Sequence, residues 1–296
     1  DNTSLLDISF TDSSNLTIQA SDGSRFKINA SEPLNFPTFT QNDEMPQVTR
    51  LPQKHLKYFT DMCLPYVFVD AFREYLRGMR LETMPDGTFQ AVGCDGHRLA
   101  LAKARLTEMP ANPLGLLITR RMTEVMGRIL DDKSEAPVEL RCNEGKCMVS
   151  ANGYVLVGRL LTCPYPMIDS IIPREFACSA LLNRQELVQR LKMVAVMTVD
   201  RIYCVQMSFK PGELLLMAEN TKHETGKATC SMEYEGEPFD IAFNVNYLVD
   251  ALSRARTEKV RFAFDQDMKS ATLMPMLDGG NDEEVSVRFI ISKIVL

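Results

Sequence analysis

One three-strand phrase is written three times in this chain of 296 residues, and no other feature narrows the fold as much. The first copy runs Leu5 to Phe10, Leu16 to Ala20 and Arg25 to Ile28, with Asp, Ser, Asn and Gly between the runs. Period-2 alternation bounded by such turn residues marks antiparallel strands with one face buried. The second copy runs Val138 to Leu140, Cys147 to Val149 and Tyr154 to Leu160, turning at Asn143-Glu144-Gly145. The third runs Val260 to Phe264, Ala271 to Leu273 and Val285 to Ile291, turning near Asp265-Gln266-Asp267. The copies start at residues 5, 138 and 260. That spacing far exceeds the roughly 20–50 residues of a solenoid repeat. It predicts duplication of a whole domain.

Four segments change to helical periodicity. Pro52 to Leu64 sets Leu56, Phe59 and Cys63 on one face, with Pro52 suited to the first turn. Thr119 to Leu130 repeats Met122, Val125, Met126 and Ile129 behind a Thr119 cap. Asn183 opens an N-x-x-E form of the capping box with Glu186, followed by the stripe Leu187, Val188, Leu191 and Val194. Asn244 caps a segment that turns Leu248, Ala251, Leu252 and Ala255 inward. The order strand, helix, strand, strand, strand therefore repeats, which is an α+β fold of βαβββ units with two helices per domain. Polar, Pro-bearing boundaries at Gln41 to Pro46 and around Pro173-Arg174-Glu175 divide the chain into 1–44, 45–173 and 174–296. The first piece holds only trailing strands and lacks a strand-helix-sheet half. The opening DNTSLLDISF has no initiator Met and no basic leader, so no secretory signal is visible and the sequence is expected to begin inside a longer chain. Asp278-Gly279-Gly280-Asn281-Asp282 reads as a surface turn.

Charge narrows the function. Lys and Arg total 33 against 39 Asp and Glu, a net −6, which excludes a uniformly basic nucleic-acid coat but not a local basic surface. The windows 52–64, 119–130, 183–195 and 244–256 reverse the balance. They hold Lys54, Lys57, Arg120, Arg121, Arg128, Arg184, Arg190, Lys192, Arg254 and Arg256 against Asp61, Glu124, Glu186 and Asp250. Two readings stay open. Outer faces of amphipathic helices are charged in any soluble protein. Four helices sharing one sign against the chain average also suit a surface that follows phosphates without reading bases. Eight scattered cysteines with no CxxC pair indicate free thiols and a reducing, cytoplasmic compartment. No apolar run reaches the roughly 18–20 residues of a membrane span, so no membrane partner is expected.

Cys94-Asp95-Gly96-His97-Arg98-Leu99-Ala100 is the densest motif. Asp-Gly before an alternating run signals a hairpin. Cys, Asp and His so close together also fit a catalytic or metal site, but no second His or CxxC is near enough to complete a ligand set. GxxxxGK[ST], GxGxxG and GxSxG are all absent. The end of the chain, Phe289 to Leu296, is unusually apolar. It either finishes a core strand at Ile290 and Ile291 or lines an apolar groove, and one strand can do both on its two faces.

Asp95-Gly96-His97-Arg98-Leu99-Ala100 resembles the T-D-G-H-R-L-A signature of the bacterial DNA polymerase III β sliding clamp family. Leu51-Pro52-Gln53, Arg73 to Gly78, Pro166 and Phe243 to Tyr247 follow in the expected order, so the likeness covers essentially the whole chain. The resemblance implies the DNA clamp fold, with three similar domains per subunit, two sheets in each, and a head-to-tail homodimer closed into a ring around duplex DNA. It implies no catalytic site, no metal and no cofactor. Its partners would be duplex DNA without sequence preference, the DNA polymerase III catalytic subunit, the clamp loader and other proteins with a clamp-binding motif. A partner-peptide groove between the second and third domains would include Leu76, Cys94, Gly96, His97, Arg98, Leu99, Pro166, Ser170, Ile171, Asn244, Tyr247, Met268, Ser270, Ile290 and Ser292, with Lys293 and Ile294 beside them. DNA-facing positions would be Arg73, Tyr75, Arg77, Arg120 and Arg121, and the dimer contact would join Phe26 and Ile28 to Val196 and Met197. The sequence departs from the pattern at Cys94, at Ser170 where a basic residue is usual, and in the tail Ser292 to Leu296. Two other readings are a clamp-like scaffold that binds peptides without encircling DNA, and a hydrolase built on His97 with Asp95 or Cys94.

Overall fold

The computed structural model describes residues 5–12, 14–31, 45–69, 72–106, 114–198, 203–276 and 284–295. The chain forms two compact units, residues 1–44 and 45–296. The expected turn at 278–282 and the boundary residues 41–44 lie outside the described residues.

The smaller unit is an antiparallel meander of β1 (Leu6–Asp12), β2 (Asn15–Ala20) and β3 (Arg25–Asn29). Its register aligns Ile8 with Ile18 and Phe26, and Phe10 with Leu16 and Ile28, so the alternation collects apolar side chains on one face. Leu6, Ile8, Phe10, Phe26 and Ile28 are exposed there.

The larger unit repeats βαβββ four times. The first two repeats are β4 (Gln47–Pro52), α1 (Gln53–Cys63), β5 (Gly78–Thr83), β6 (Thr88–Cys94), β7 (Arg98–Arg105), then β8 (Gly115–Thr119), α2 (Arg120–Ile129), β9 (Pro137–Cys142), β10 (Lys146–Ala151), β11 (Tyr154–Arg159). The next two are β12 (Cys178–Asn183), α3 (Arg184–Ala195), β13 (Cys204–Lys210), β14 (Glu213–Glu219), β15 (Thr225–Glu233), then β16 (Phe239–Asn244), α4 (Val245–Arg254), β17 (Lys259–Phe264), β18 (Ser270–Met276), β19 (Val285–Ser292). Each opening strand leaves its own meander and completes its neighbour's. Thus β4 pairs with β9, β8 with β5, β12 with β17 and β16 with β13. This exchange interlocks the repeats two by two. The sheets also run together. The order β16-β13-β14-β15-β12-β17-β18-β19-β7-β6-β5-β8 is one hydrogen-bonded sheet, and β11-β10-β9-β4 is a second. The seam of the longer sheet is the antiparallel pair β19 and β7, from Val285 beside Ala104 to Ile291 beside Arg98. Pairing two otherwise free edges satisfies their backbone groups.

The helices begin where their caps predict. Thr119 Oγ1 accepts the Met122 N–H at 3.3 Å, Asn183 Oδ1 accepts that of Glu186 at 3.0 Å, and Asn244 Oδ1 accepts those of Asn246 and Tyr247. Glu186 faces Arg190 at 3.9 Å instead of closing the capping box. Pro52 differs from expectation. It is extended at φ −56° and ψ 141°, ends β4 opposite Pro137 and precedes the first turn of α1. Leu56, Phe59 and Cys63 of α1 are fully buried as read. Small residues make room for them, since Ala91, Ala100, Ala102 and Ala104 belong to the same core. A Cβ on Gly93 would run into the Cys63 carbonyl.

Candidate functional site

The Cys94–Ala100 motif is the turn between β6 and β7. Asp95 Oδ1 accepts the N–H groups of His97 and Arg98, each at 3.0 Å, and Asp95 Oδ2 accepts Arg98 Nε at 2.8 Å. Gly96 has φ +92°, and a Cβ there would collide with the Arg73 guanidinium. Arg98 lies inward. Its Nη1 donates to Asp250 Oδ2 of α4 at 2.9 Å and its Nη2 to the Pro65 carbonyl at 3.2 Å. The rings of Tyr66 and Tyr247 bracket the guanidinium at 4.7 and 4.6 Å. Burial works against its charge, but the hydrogen bond and charge of Asp95, with Tyr66 and Asp250, outweigh it and raise the pKa. Arg98 is therefore a cross-link between the first and fourth repeats, placed under the surface the hairpin presents. Both Asp95 oxygens bond the turn or Arg98, and Asp95 holds His97 through its backbone N–H. Burial pushes the Cys94 thiol up, away from the thiolate a nucleophile needs.

Beside this hairpin the structure gathers an apolar cluster separate from the main core. Leu76, Val92, Cys94, Leu99, Leu101, Ile168 and Ile290 are its buried members, with Phe68, Tyr165 and Ile172 packed against it. Register explains the set. Val92 faces Leu101, Cys94 faces Leu99 across β6 and β7, and Leu99 faces Ile290 across the seam. Four expected groove residues, Leu76, Cys94, Leu99 and Ile290, thus meet in one place. Val92, Leu101 and Ile168 belong with them and were not anticipated, although period-2 alternation from Cys94 and Leu99 points to the first two. Val69, next to Phe68, and Met167 and Ile171, close in sequence to Ile168, are exposed apolar side chains. Pro166 is half-buried, and Ser170 is exposed with its hydroxyl donating to the Met167 carbonyl at 3.1 Å.

The chain's end closes the other side. Ser292 N–H donates to the His97 carbonyl at 2.9 Å, Lys293 N–H to that of Lys269 at 3.0 Å and Ile294 N–H to that of Ala242 at 2.7 Å. Ser270 is buried and pairs with Ser292, and Met268 holds a left-handed φ of +47°. Met268, Lys293 and Ile294 line a cleft of about 370 Å3 with Ile241, Ala242 and Val295. Asn244 serves as the α4 cap and Tyr247 as a ring on Arg98. These two expected groove residues do local structural work.

The basic helices are largely self-neutralised. Lys54 pairs with Glu135 and Glu284, Lys57 with Asp61, Arg120 with Glu124 and Arg254 with Asp250, all within 3.1 Å. Arginines also cap the C-terminal end of α1 and the turn after it, where carbonyls carry the negative end of the helix dipole. Arg254 Nη1 donates to the Asp61 carbonyl at 3.2 Å, and Arg120 Nη1 to those of Leu64 and Val67 at 3.2 and 2.7 Å. Arg184 is spent on the carbonyls of Thr257 and Leu252. Arg121 is exposed at 3.7 Å from Glu124, and Arg128 and Lys192 make no ion pair with any described residue. Arg73, Tyr75 and Arg77 occupy one exposed turn. Arg73 lies beside Gly96, and the Arg77 carbonyl accepts the Arg120 N–H at 3.1 Å. This turn therefore links the β6–β7 hairpin to the start of α2.

Sequence profiles described as the central and C-terminal domains of the DNA polymerase III beta subunit match residues 50–167 and 169–286. The chain belongs to the DNA polymerase III beta subunit family. It is 32% identical over 189 residues to a beta sliding clamp of Chlamydia muridarum, covering 64% of this chain and 51% of that protein. With the clamp of Pseudomonas putida it shares 26% identity over 282 residues, covering 95% and 75%. The chain thus spans about half the length of the Chlamydia relatives it matches. Its fold is that of solved clamps. The DNA polymerase sliding clamp of Pseudomonas aeruginosa superposes with TM-score 0.86 at 23% identity, covering 99% of this chain and 77% of that one. The C. crescentus beta sliding clamp gives 0.87 at 23%, covering 98% and 76%.

Within this family fold, the remaining expected positions fall as follows. Phe26 and Ile28 are exposed on β3 of the smaller unit. Val196, just beyond α3, is exposed, while Met197 packs over Gly226 of β15. All eight cysteines are free. Among the described residues no group of three or more His, Cys, Asp and Glu side chains could hold a metal ion. No described helix is long and apolar enough to cross a membrane.

Proposed function

We propose that the chain works as a DNA sliding clamp. Residues 1–44 would be the trailing half of a first clamp domain, 45–173 the second and 174–296 the third. A head-to-tail dimer would encircle duplex DNA without reading its sequence. The DNA polymerase III catalytic subunit, the clamp loader and other carriers of a clamp-binding motif would dock in the apolar groove. Such a protein has no reaction of its own to catalyse. It raises the effective concentration of its partner at the DNA.

The observation that carries this reading is the convergence at the groove. The hairpin at 95–98, the turn around Leu76, the segment around Ile168 and the final strand come from distant parts of the chain and bury one small apolar cluster. A set of apolar anchors with a few rim polar groups is what seats a short linear peptide. The partly neutralised helix face supports sliding, because strong, unshielded phosphate contacts would arrest the ring. Calorimetric titration with clamp-binding peptides from DNA polymerase III catalytic subunits tests the groove. Saturable binding of one peptide per chain is expected, and no saturation with several such peptides would remove the reading.

A further inference from the structure

Two arginines, one on β7 and one on α4, share one carboxylate. Asp250 Oδ2 accepts Arg98 Nη1 at 2.9 Å, while Asp250 Oδ1 accepts Arg254 Nε and Nη2 at 3.2 and 3.0 Å. Arg98 leads to the groove. It fixes Asp95 of the hairpin, whose His97 carbonyl in turn holds the Ser292 N–H of the final strand at 2.9 Å. Arg254 leads to the helix face. With Lys57, Thr60, Gly127 and Arg256 it lines a cleft of about 470 Å3 between α1, α2 and α4. Pro65 lines the same cleft, and its carbonyl accepts Arg98 Nη2 at 3.2 Å, so Arg98 lies directly beneath the cleft wall.

We propose that Asp250 couples the helix-face cleft to the groove hairpin: a phosphate that draws Arg254 from Asp250 leaves that carboxylate to Arg98 and tightens the hairpin on a bound peptide. The inference rests on the groove reading above and names a regulation of that site. Two guanidinium groups on one carboxylate repel each other and divide its field. When one leaves, the other gains. Lys57, Arg254 and Arg256 outnumber Asp61 and Glu124 around the cleft, so an anion is the ligand that fits it. Coupling is reciprocal, so a bound peptide makes the cleft a better phosphate site by the same factor. Asp250 touches neither ligand and acts as a positioning residue.

The test is a set of peptide affinities read by fluorescence anisotropy. The probe is a fluorescein-labelled clamp-binding peptide from a DNA polymerase III catalytic subunit. R254Q, which frees Asp250, is expected to tighten binding about threefold without any anion, a small coupling on the usual scale. D250N is expected to weaken binding about fivefold, and D250E to restore it. In the D250N background R254Q is expected to change nothing, since the two act through one contact. Tripolyphosphate is expected to reproduce the R254Q gain in the unmutated chain and to have no effect in D250N. Melting temperatures identify any variant that fails to fold, and R254K, which keeps the charge but loses the fork, then stands in for R254Q with a smaller gain. Equal effects of Arg254 changes in the two backgrounds, or a loss of affinity with R254Q, would overturn the coupling while leaving the groove intact. No peptide binding by the unmutated chain would overturn both.

Discussion

Replacing Arg98 by methionine removes two ion pairs, a carbonyl cap and the cation between two rings, yet keeps the apolar stem. Arg98, Asp95 and Asp250 side chains retain only 16%, 17% and 29% of their exposure, so both carboxylates would lose a cation in a largely dry setting. Breaking a buried pair from one side costs about 3–5 kcal/mol, because the partner stays behind uncompensated. Asp95 is left without its cation, while Asp250 keeps Arg254 and some solvent, so the expected loss lies near the lower end, about 3 kcal/mol. For a unit of this size that lowers the melting temperature by about 6–12 °C. Urea midpoints followed by far-UV circular dichroism measure it, with D250N and the double variant completing a cycle. The two changes should couple by about 1 kcal/mol or more, because they share a contact. A loss below about 1 kcal/mol, the range of exposed pairs, would refute the reasoning and return Arg98 to the groove surface.

Gly93→Ala should cost about 1–3 kcal/mol, read as a lower melting temperature, because its Cβ meets the Cys63 carbonyl and one of β6 and α1 must shift. A melting point equal to the parent's would show that the contact gives way freely. Burial pushes the Cys63 and Cys147 thiols up to about 12, so neither should react with Ellman's reagent at pH 8 until urea is added. The same shift makes stability constant below the ordinary 9.0 and declining from there toward about 12, since only the unfolded chain then loses those protons. Glu82 goes the other way. Burial opposes its charge, but the hydrogen bond and charge of Arg80, with Gln90, hold its carboxyl below 4.5. Its contribution is complete above that value and disappears as pH falls through the lower folded one, so E82Q should flatten the acid side of a melting-temperature profile. An unchanged acid slope in E82Q would assign that limb to other carboxylates.

The four helices and nine of the strands were legible because their signals are local. Thr119, Asn183 and Asn244 announce three helices, and alternation sets all nine strands of the repeated phrase. The exchange of opening strands was not legible. Gln47 to Pro52 looks the same whether it pairs inside its own repeat or with Pro137 to Cys142, and only the packing of two helices against both meanders decides. The seam of β19 with β7 is likewise hidden, since its partners lie about 180 residues apart in sequence. At the groove, the apolar members follow from residue type and period. Arg98, Asn244 and Tyr247 do not, because motif likeness names positions without saying which side of a turn they support. Lys and Arg counts marked the helices as basic, but could not show that Asp61, Glu124, Asp250 and Glu284 sit within reach of most of them.

Topology tests the clamp reading most directly. The protein, loaded by a clamp loader onto a nicked circular plasmid, is separated from free protein by gel filtration in high salt, before and after one restriction cut. A ring held only by linkage co-elutes with the circle and leaves once the DNA is linear. Release from the intact circle in salt, or equal retention on circular and cut DNA, would contradict encirclement.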